Sequence, residues 1–222
     1  MIANIMADMI QDDVRRLERY GQLPMEIGVG KFWQDMTTPG TGSAVYVTDH
    51  NGGVTLSRSG TTTTTGGWIR SRVSSDETWG VCVAGDFDLR MRYDTGAWPG
   101  SNCNRWLSAR IFDPAGTLTN SIALQRYGHG ADEGAYAAGS SLSYPGLGWI
   151  DLGTADQVSG SFRFTRVGTL ASAYIWKAGA WVLAGSVVRN TVPWRVHLWT
   201  GGDDTGWGLP SVSGTFSDLK LV

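Results

Sequence analysis

The residues best suited to chemistry sit in glycine-rich loops. The stretch Gly201-Gly202-Asp203-Asp204-Thr205-Gly206-Trp207-Gly208 places two carboxylates and an indole within five residues. A sugar needs an apolar platform beside oxygen acceptors, and this loop offers both. Trp98, in Gly96-Ala97-Trp98-Pro99-Gly100, is a second indole in a similar setting. Trp98, Trp207, Asp203 and Asp204 therefore form the expected glycan-binding set. Carboxylate and carbonyl oxygens in 201–206 could also hold Ca²⁺, with Asp203 and Asp204 as the metal ligands. A solvated turn explains the same two residues equally well. Trp149 lies in a third such loop, Pro145-Gly146-Leu147-Gly148-Trp149. The alternative role for all three indoles is to fold back and plug the ends of the fold, since large aromatics dominate core energetics.

Catalytic groups are sparse. Glycoside hydrolysis needs two carboxyl groups facing each other across the scissile bond. The chain has only the glutamates Glu18, Glu26, Glu77 and Glu133, and none forms a pair. Asp86-Phe87-Asp88 has the alternation of a strand-borne carboxylate pair but lacks the glutamates. His50, His129 and His197 are far apart, and none has a zinc-type partner at short spacing. His197 sits between Val196 and Leu198 and reads as a strand-packed imidazole. So few histidines give no Ser/His/Asp order. Gly28-Val29-Gly30-Lys31-Phe32 lacks the spacing of a phosphate loop. The expectation is no catalytic residue, no enzyme activity, and no cofactor apart from the calcium.

Charge and composition exclude further classes. Eighteen basic against twenty acidic residues give a formal net charge of −2. No basic field points to nucleic acid or an anionic membrane. Asp8, Asp12 and Asp13 interrupt the N-terminal apolar residues, so neither a membrane span nor a secretory signal is expected. Cys82 and Cys103 do not make a disulfide framework, and reduced thiols or a single pair both remain open.

The elements that must position these loops are mostly strands. Period-2 alternation marks 44–48, 53–58, 67–73, 79–84, 86–93, 105–112, 119–127, 158–167, 171–177, 180–184, 193–200 and 214–221. Val167-Gly168-Thr169 and Lys177-Ala178-Gly179-Ala180 supply tight turns. Thirty-one glycines and eleven tryptophans suit short strands and close turns. Residues 2–20 read instead as an amphipathic helix. Its stripe is Ile2, Met6, Met9, Ile10, Val14 and Leu17, and Gly21 and Pro24 end it. That stripe must be buried against its own domain, against copies of itself, or in a larger assembly. The organisation is therefore a helix and connector over 1–36, for oligomerisation or docking, and an all-β antiparallel sandwich over 37–222.

The closing pattern carries a resemblance. Phe162-x-Phe164-x-Arg166-x-Gly168, Tyr174-x-Trp176, Gly179-x-Trp181, Trp194-x-Val196-x-Leu198, Gly201-Gly202-Asp203-Asp204 and Phe216-x-Asp218-Leu219-x-Leu221 together resemble the last strands of concanavalin-A-like lectin/glucanase jelly rolls, of the laminin-G-like kind. The resemblance covers about Gly80 to Val222. It implies a jelly roll shared by lectins, carbohydrate-binding modules, glucanases and modules of phage tails and other surface assemblies. The glucanase motif Glu-x-Asp-x-x-Glu or Glu-x-Asp-x-Glu is absent. With the helix seeking a partner, the expected function is a structural and interaction module of a multimeric particle. A phage tail, fibre or baseplate component located on the virion, with host-surface glycan binding, is the first reading. A homo-oligomer is expected, and the fibre analogy makes it a trimer. The alternatives are a free, extracellular lectin-like module and, behind it, a glycoside hydrolase.

Overall fold

The computed structural model describes residues 33–35, 44–48, 53–58, 69–75, 82–96, 104–113, 121–129, 132–140, 150–154, 158–202 and 212–222. The expected helix over 2–20, with Ile2, Met6, Met9, Ile10, Val14 and Leu17, lies outside them. So do Trp98, Trp149, Asp203, Asp204, Trp207 and Cys103.

Among the described residues every regular element is a strand, in the order β1 (Trp33–Asp35), β2 (Ala44–Thr48), β3 (Val54–Arg58), β4 (Ile69–Ser75), β5 (Cys82–Val83), β6 (Phe87–Asp94), β7 (Asn104–Phe112), β8 (Ser121–His129), β9 (Asp132–Ser140), β10 (Ile150–Thr154), β11 (Ser159–Val167), β12 (Leu170–Lys177), β13 (Ala180–Val188), β14 (Trp194–Gly202) and β15 (Val212–Leu221). They form two antiparallel sheets. One runs β1-β4-β14-β7-β8-β9-β10, with β5 also pairing β14; the other runs β13-β12-β11-β6-β15-β3-β2. The expected sandwich is present, and all twelve expected strands recur, although 79–84 shortens to Cys82–Val83 and 180–184 lengthens to Ala180–Val188. The short β1 and the pair β9 and β10 were not anticipated. Asp132–Ser140 reads DEGAYAAGS, whose glycine and alanine content hides the alternation.

The core lies between the sheets. Leu89, Met91, Phe162, Phe164, Ala173, Ile175 and Phe216 come from the seven-stranded sheet. Leu107, Ile111, Ile122, Leu124, Trp194, Val196 and Leu198 come from the eight-stranded one. β6 shows the cause plainly: Phe87, Leu89, Met91 and Tyr93 are buried, while Asp88, Arg90, Arg92 and Asp94 alternate with them on the wet face. Local turns then set the pairing of β11, β12 and β13. Ala178 and Gly179 both have positive φ, 51° and 82°, as a two-residue type I′ hairpin requires.

Three arginines are buried with this apolar set. Arg166 is fully shielded on the core side of β11. Its Nε donates to Gly85 O and its Nη1 to Val192 O, both at 2.7 Å. Its guanidinium also lies over the rings of Phe87 and Trp194, at 5.1 and 5.4 Å. Burial pulls the Arg166 pKa below the ordinary guanidinium range, and nearby Asp86 opposes that shift. The carbonyls and ring faces compensate a desolvation that would otherwise be costly.

Candidate functional site on the outer face of the eight-stranded sheet

The eight-stranded sheet has a second face, directed away from the core. On β7, Leu107, Ala109 and Ile111 enter the core, so Trp106, Ser108, Arg110 and Phe112 take the other side. Ser121, Ala123 and Gln125 do the same on β8, and Arg195 and His197 on β14. Trp106 and Ala123 pack as a small apolar cluster of their own, separate from the main core.

Register gathers residues distant in sequence into rows across this face. One row reads Gln34, Ser74, His197, Arg110, Ala123 and Gly139. The next reads Arg72, Trp199, Ser108, Gln125, Ala137 and Asp151. A third holds Arg70, Gly201, Trp106, Tyr127 and Ala135. On the opposite flank Arg195 pairs with Phe112, and Phe112 with Ser121.

This face is polar yet shielded. Ser108 is fully buried, and Gln125 and His197 are 6% and 9% exposed. The Ser108 hydroxyl donates to Gln125 Oε1 at 3.3 Å. That bond holds the amide carbonyl and leaves the Gln125 nitrogen to donate elsewhere. The His197 imidazole packs against Phe112, with centroids 5.7 Å apart at 53°. Arg110 and Arg195 are half-buried beside it. An imidazole, an amide, a hydroxyl and two guanidiniums thus share a sheet surface with an indole. Arg110 and Arg195, only half-buried, can neutralise an anionic group that reaches this face, with the buried hydroxyl, amide and imidazole packed behind them.

The candidates drawn from sequence fare differently. Asp203, Asp204 and Trp207 follow Gly202, which pairs with Arg105 and Ile69, but they lie outside the described residues, as does Trp98. The calcium expectation at Asp203 and Asp204 likewise lies outside the described residues. Among the described residues no group of three or more His, Cys, Asp or Glu could hold a metal ion. His197 is strand-packed, as its neighbours suggested, but on the outer face beside Arg110 and Phe112. Asp86 and Asp88 do not form a catalytic pair. Asp86 Oδ1 accepts from the Gly168 amide at 2.7 Å and so ties β6 to the β11–β12 turn. Asp88 is held by two arginines on the outer face of the other sheet. Trp194 is a core residue, whereas Trp176 is 41% exposed. Arg110, Gln125 and Arg195 were missed because their value lies in cross-strand register; the only local signal was a polar residue alternating with core positions.

No protein-family model matches the chain, and no curated protein sequence matches it. Solved structures do. The β-glucanase of Bacillus licheniformis is similar with a TM-score of 0.54 at 11% identity, over 86% of this chain and 91% of that one. The alginate lyase from Klebsiella pneumoniae gives 0.53 at 12% identity, over 80% and 83%. A legume lectin-like domain from Entamoeba histolytica gives 0.51 at 11%, over 82% and 88%.

These similarities overturn one expectation. The lack of a paired-carboxylate motif placed the chain outside the enzymes, yet a glucanase and alginate lyases share its fold. The missing motif bears on one chemistry and does not place the chain outside the enzymes. At these identities the likeness shows the fold and leaves activity to the site. The chain carries the concanavalin-like jelly roll common to solved glucanase, alginate lyase and lectin-like proteins.

Proposed function

We propose that this protein binds an acidic polysaccharide across the outer face of the eight-stranded sheet and acts on it there. The observation that carries this reading is the shielded row set joining His197, Arg110, Ser108, Gln125 and Arg195 beside Trp106. The guanidiniums of Arg110 and Arg195 and the His197 imidazole on that face suit uronate-bearing sugars. Trp106 supplies an apolar ring among the polar groups. The fold-level similarity to alginate lyases agrees with this choice. Elimination next to a uronate carboxylate needs a base for the ring proton and a cation for the charge that develops. His197 would take the ring proton next to the carboxylate, and Arg110 and Gln125 would hold that carboxylate. The new C=C bond would form as the glycosidic C–O bond breaks, the leaving oxygen taking its proton from the imidazolium or from water.

The test is a panel of polyuronates and neutral glucans, assayed by affinity electrophoresis and by ultraviolet absorbance of the unsaturated product. Retention by polyuronates, with absorbance lost in His197→Ala and binding weakened in Arg110→Ala, is the expected outcome. Retention without product would reduce the role to that of a lectin-like module. No retention at all would refute the reading. A second reading keeps the particle component, with residues 2–20 as its docking element and the virion as its location. Its support is the run of exposed Val167, Leu170, Trp176, Leu183 and Val188 on the other sheet.

A further inference from the structure

The outer face of the seven-stranded sheet is divided in two. Over β6 and β15 it carries Asp88, Arg90, Arg92, Asp94, Asp218 and Lys220. Over β11, β12 and β13 charge almost vanishes. Val167, Leu170 and Val188 form one cross-strand row, exposed at 68%, 46% and 67%. Thr165, Ser172 and Ser186 form the next, with the two serine hydroxyls 2.8 Å apart. Arg163, Tyr174 and Leu183 form a third, and Trp176 pairs with Trp181 to close the patch. Arg163 is the only charge among these rows, with Lys177 at the end of β12 on the opposite parity, and Asp88 neutralises Arg163 at 2.8 and 2.9 Å.

A bulge builds this patch. Tyr174 pairs with Leu183 but Ala173 pairs with Gly185, so Ala184 is the extra residue. The extra residue switches the parity of β13. Trp181 and Leu183 therefore face outward while Val187 still enters the core. A regular strand would bury the pair or expose Val187. Edge strands are commonly blunted by shortness or charge. The other edges, β1, β2 and β10, have three, five and five residues; β13 has nine and no charge among them.

We infer that this patch is an isologous interface between two copies of the chain, packed face to face about a two-fold axis. The four rows are self-complementary. An axis lying along the rows, between the serine row and the Tyr174 row, sets Leu170 and Val188 of one copy over Trp176 and Trp181 of the other, with Val167 beside them. The same rotation sets Thr165 over Arg163, Ser172 over Tyr174 and Ser186 over Leu183. Ser172 is 5% exposed and bonded to Ser186, so the Thr165 hydroxyl and the Arg163 guanidinium are the polar contact. Each contact then occurs twice, as a two-fold interface demands. Tryptophan, tyrosine and arginine are also the residues that concentrate binding energy at interface centres. A flat polysaccharide is a poorer occupant, because Trp176 and Trp181 meet edge-on at 76° and present no common plane. Strand spacing makes the patch roughly 14 by 27 Å. That is about half of the roughly 800 Å² per partner typical of a stable complex. The dimer is therefore weak and concentration-dependent, and it is a dimer rather than the trimer of the fibre analogy.

The experiment is sedimentation velocity of the full chain across the micromolar range. Wild type should pass from monomer to dimer. Leu183→Lys, Trp176→Lys and Val188→Glu alter exposed outer-face positions and should each raise the dimerisation midpoint at least tenfold. Arg92→Ala, on the charged half, should leave it unchanged. Thermal melting identifies any variant that fails to fold, and the remaining ones then decide. A monomer at every concentration would overturn the inference. So would association that all folded variants retain, which would assign oligomerisation to another segment such as residues 2–20.

Discussion

Asp88 offers the sharpest quantitative prediction. Its carboxylate accepts from Arg90 Nε and Nη2 at 3.1 and 2.6 Å, and from Arg163 Nε and Nη2 at 2.8 and 2.9 Å. Arg163 is further held over Tyr174, with 5.0 Å to the ring centroid. Asp88→Asn keeps the shape and removes the charge between two guanidiniums. Arg90 is 38% exposed, so its pair is screened and contributes only about 0.5 kcal/mol. Arg163 is 24% exposed and stacked, and its bidentate contact should contribute about 1.5 kcal/mol. The sum of about 2 kcal/mol corresponds to a fall of about 4–8 °C in Tm for a chain of this size. Burial alone would raise the Asp88 pKa, but hydrogen bonds and charge from Arg90 and Arg163 outweigh it and hold the value below the ordinary one. A depressed folded-state pKa gives stability that is complete above the unfolded carboxylate pKa and lost as pH falls through the folded value. The gap between wild type and Asp88→Asn should thus be full at neutral pH and shrink below about pH 4. Urea melts across that range test it. A gap that stays constant in acid, or no gap at neutral pH, would refute the reasoning.

Other outcomes follow from single positions. Ala178 pays for a left-handed backbone at φ 51°, so Ala178→Gly should stabilise the protein by about 0.5–1 kcal/mol in denaturant melts. Gly160→Ala should cost about 1–3 kcal/mol, because its new Cβ would lie 2.5 Å from the hydroxyl of Tyr93, which is packed against Phe162. Unchanged stability would show that Tyr93 can move aside. Trp194→Ala should cost about 3–5 kcal/mol, since the indole is fully buried, donates to Asn190 Oδ1 at 2.9 Å and lies under Arg166. Calcium should raise Tm, and Trp207→Ala should weaken retention by a glycan. A Tm indifferent to both calcium and chelator would remove the metal from the 201–208 loop.

Much of the architecture was legible in the chain because burial on one face of a strand is a local, period-2 property. Phe87–Asp94 declares its core and wet faces without reference to any other segment, and the Ala178-Gly179 hairpin declares its own turn. Where small residues blur that alternation, as in Asp132–Ser140, the strand was not seen. The near-balanced charge offered no basic field, and the aromatic pattern pointed to the jelly roll. The site needed something else. β14 inserts between β4 and β7, far away in the chain, and only that pairing brings His197 beside Arg110, while the register of β7 against β8 sets Ser108 beside Gln125. The parity of Trp181 and Leu183 likewise depends on the bulge at Ala184, which appears only against β12. Alternation is written residue by residue, whereas strand order and register are settled by which hydrophobic faces and backbone edges can be satisfied together.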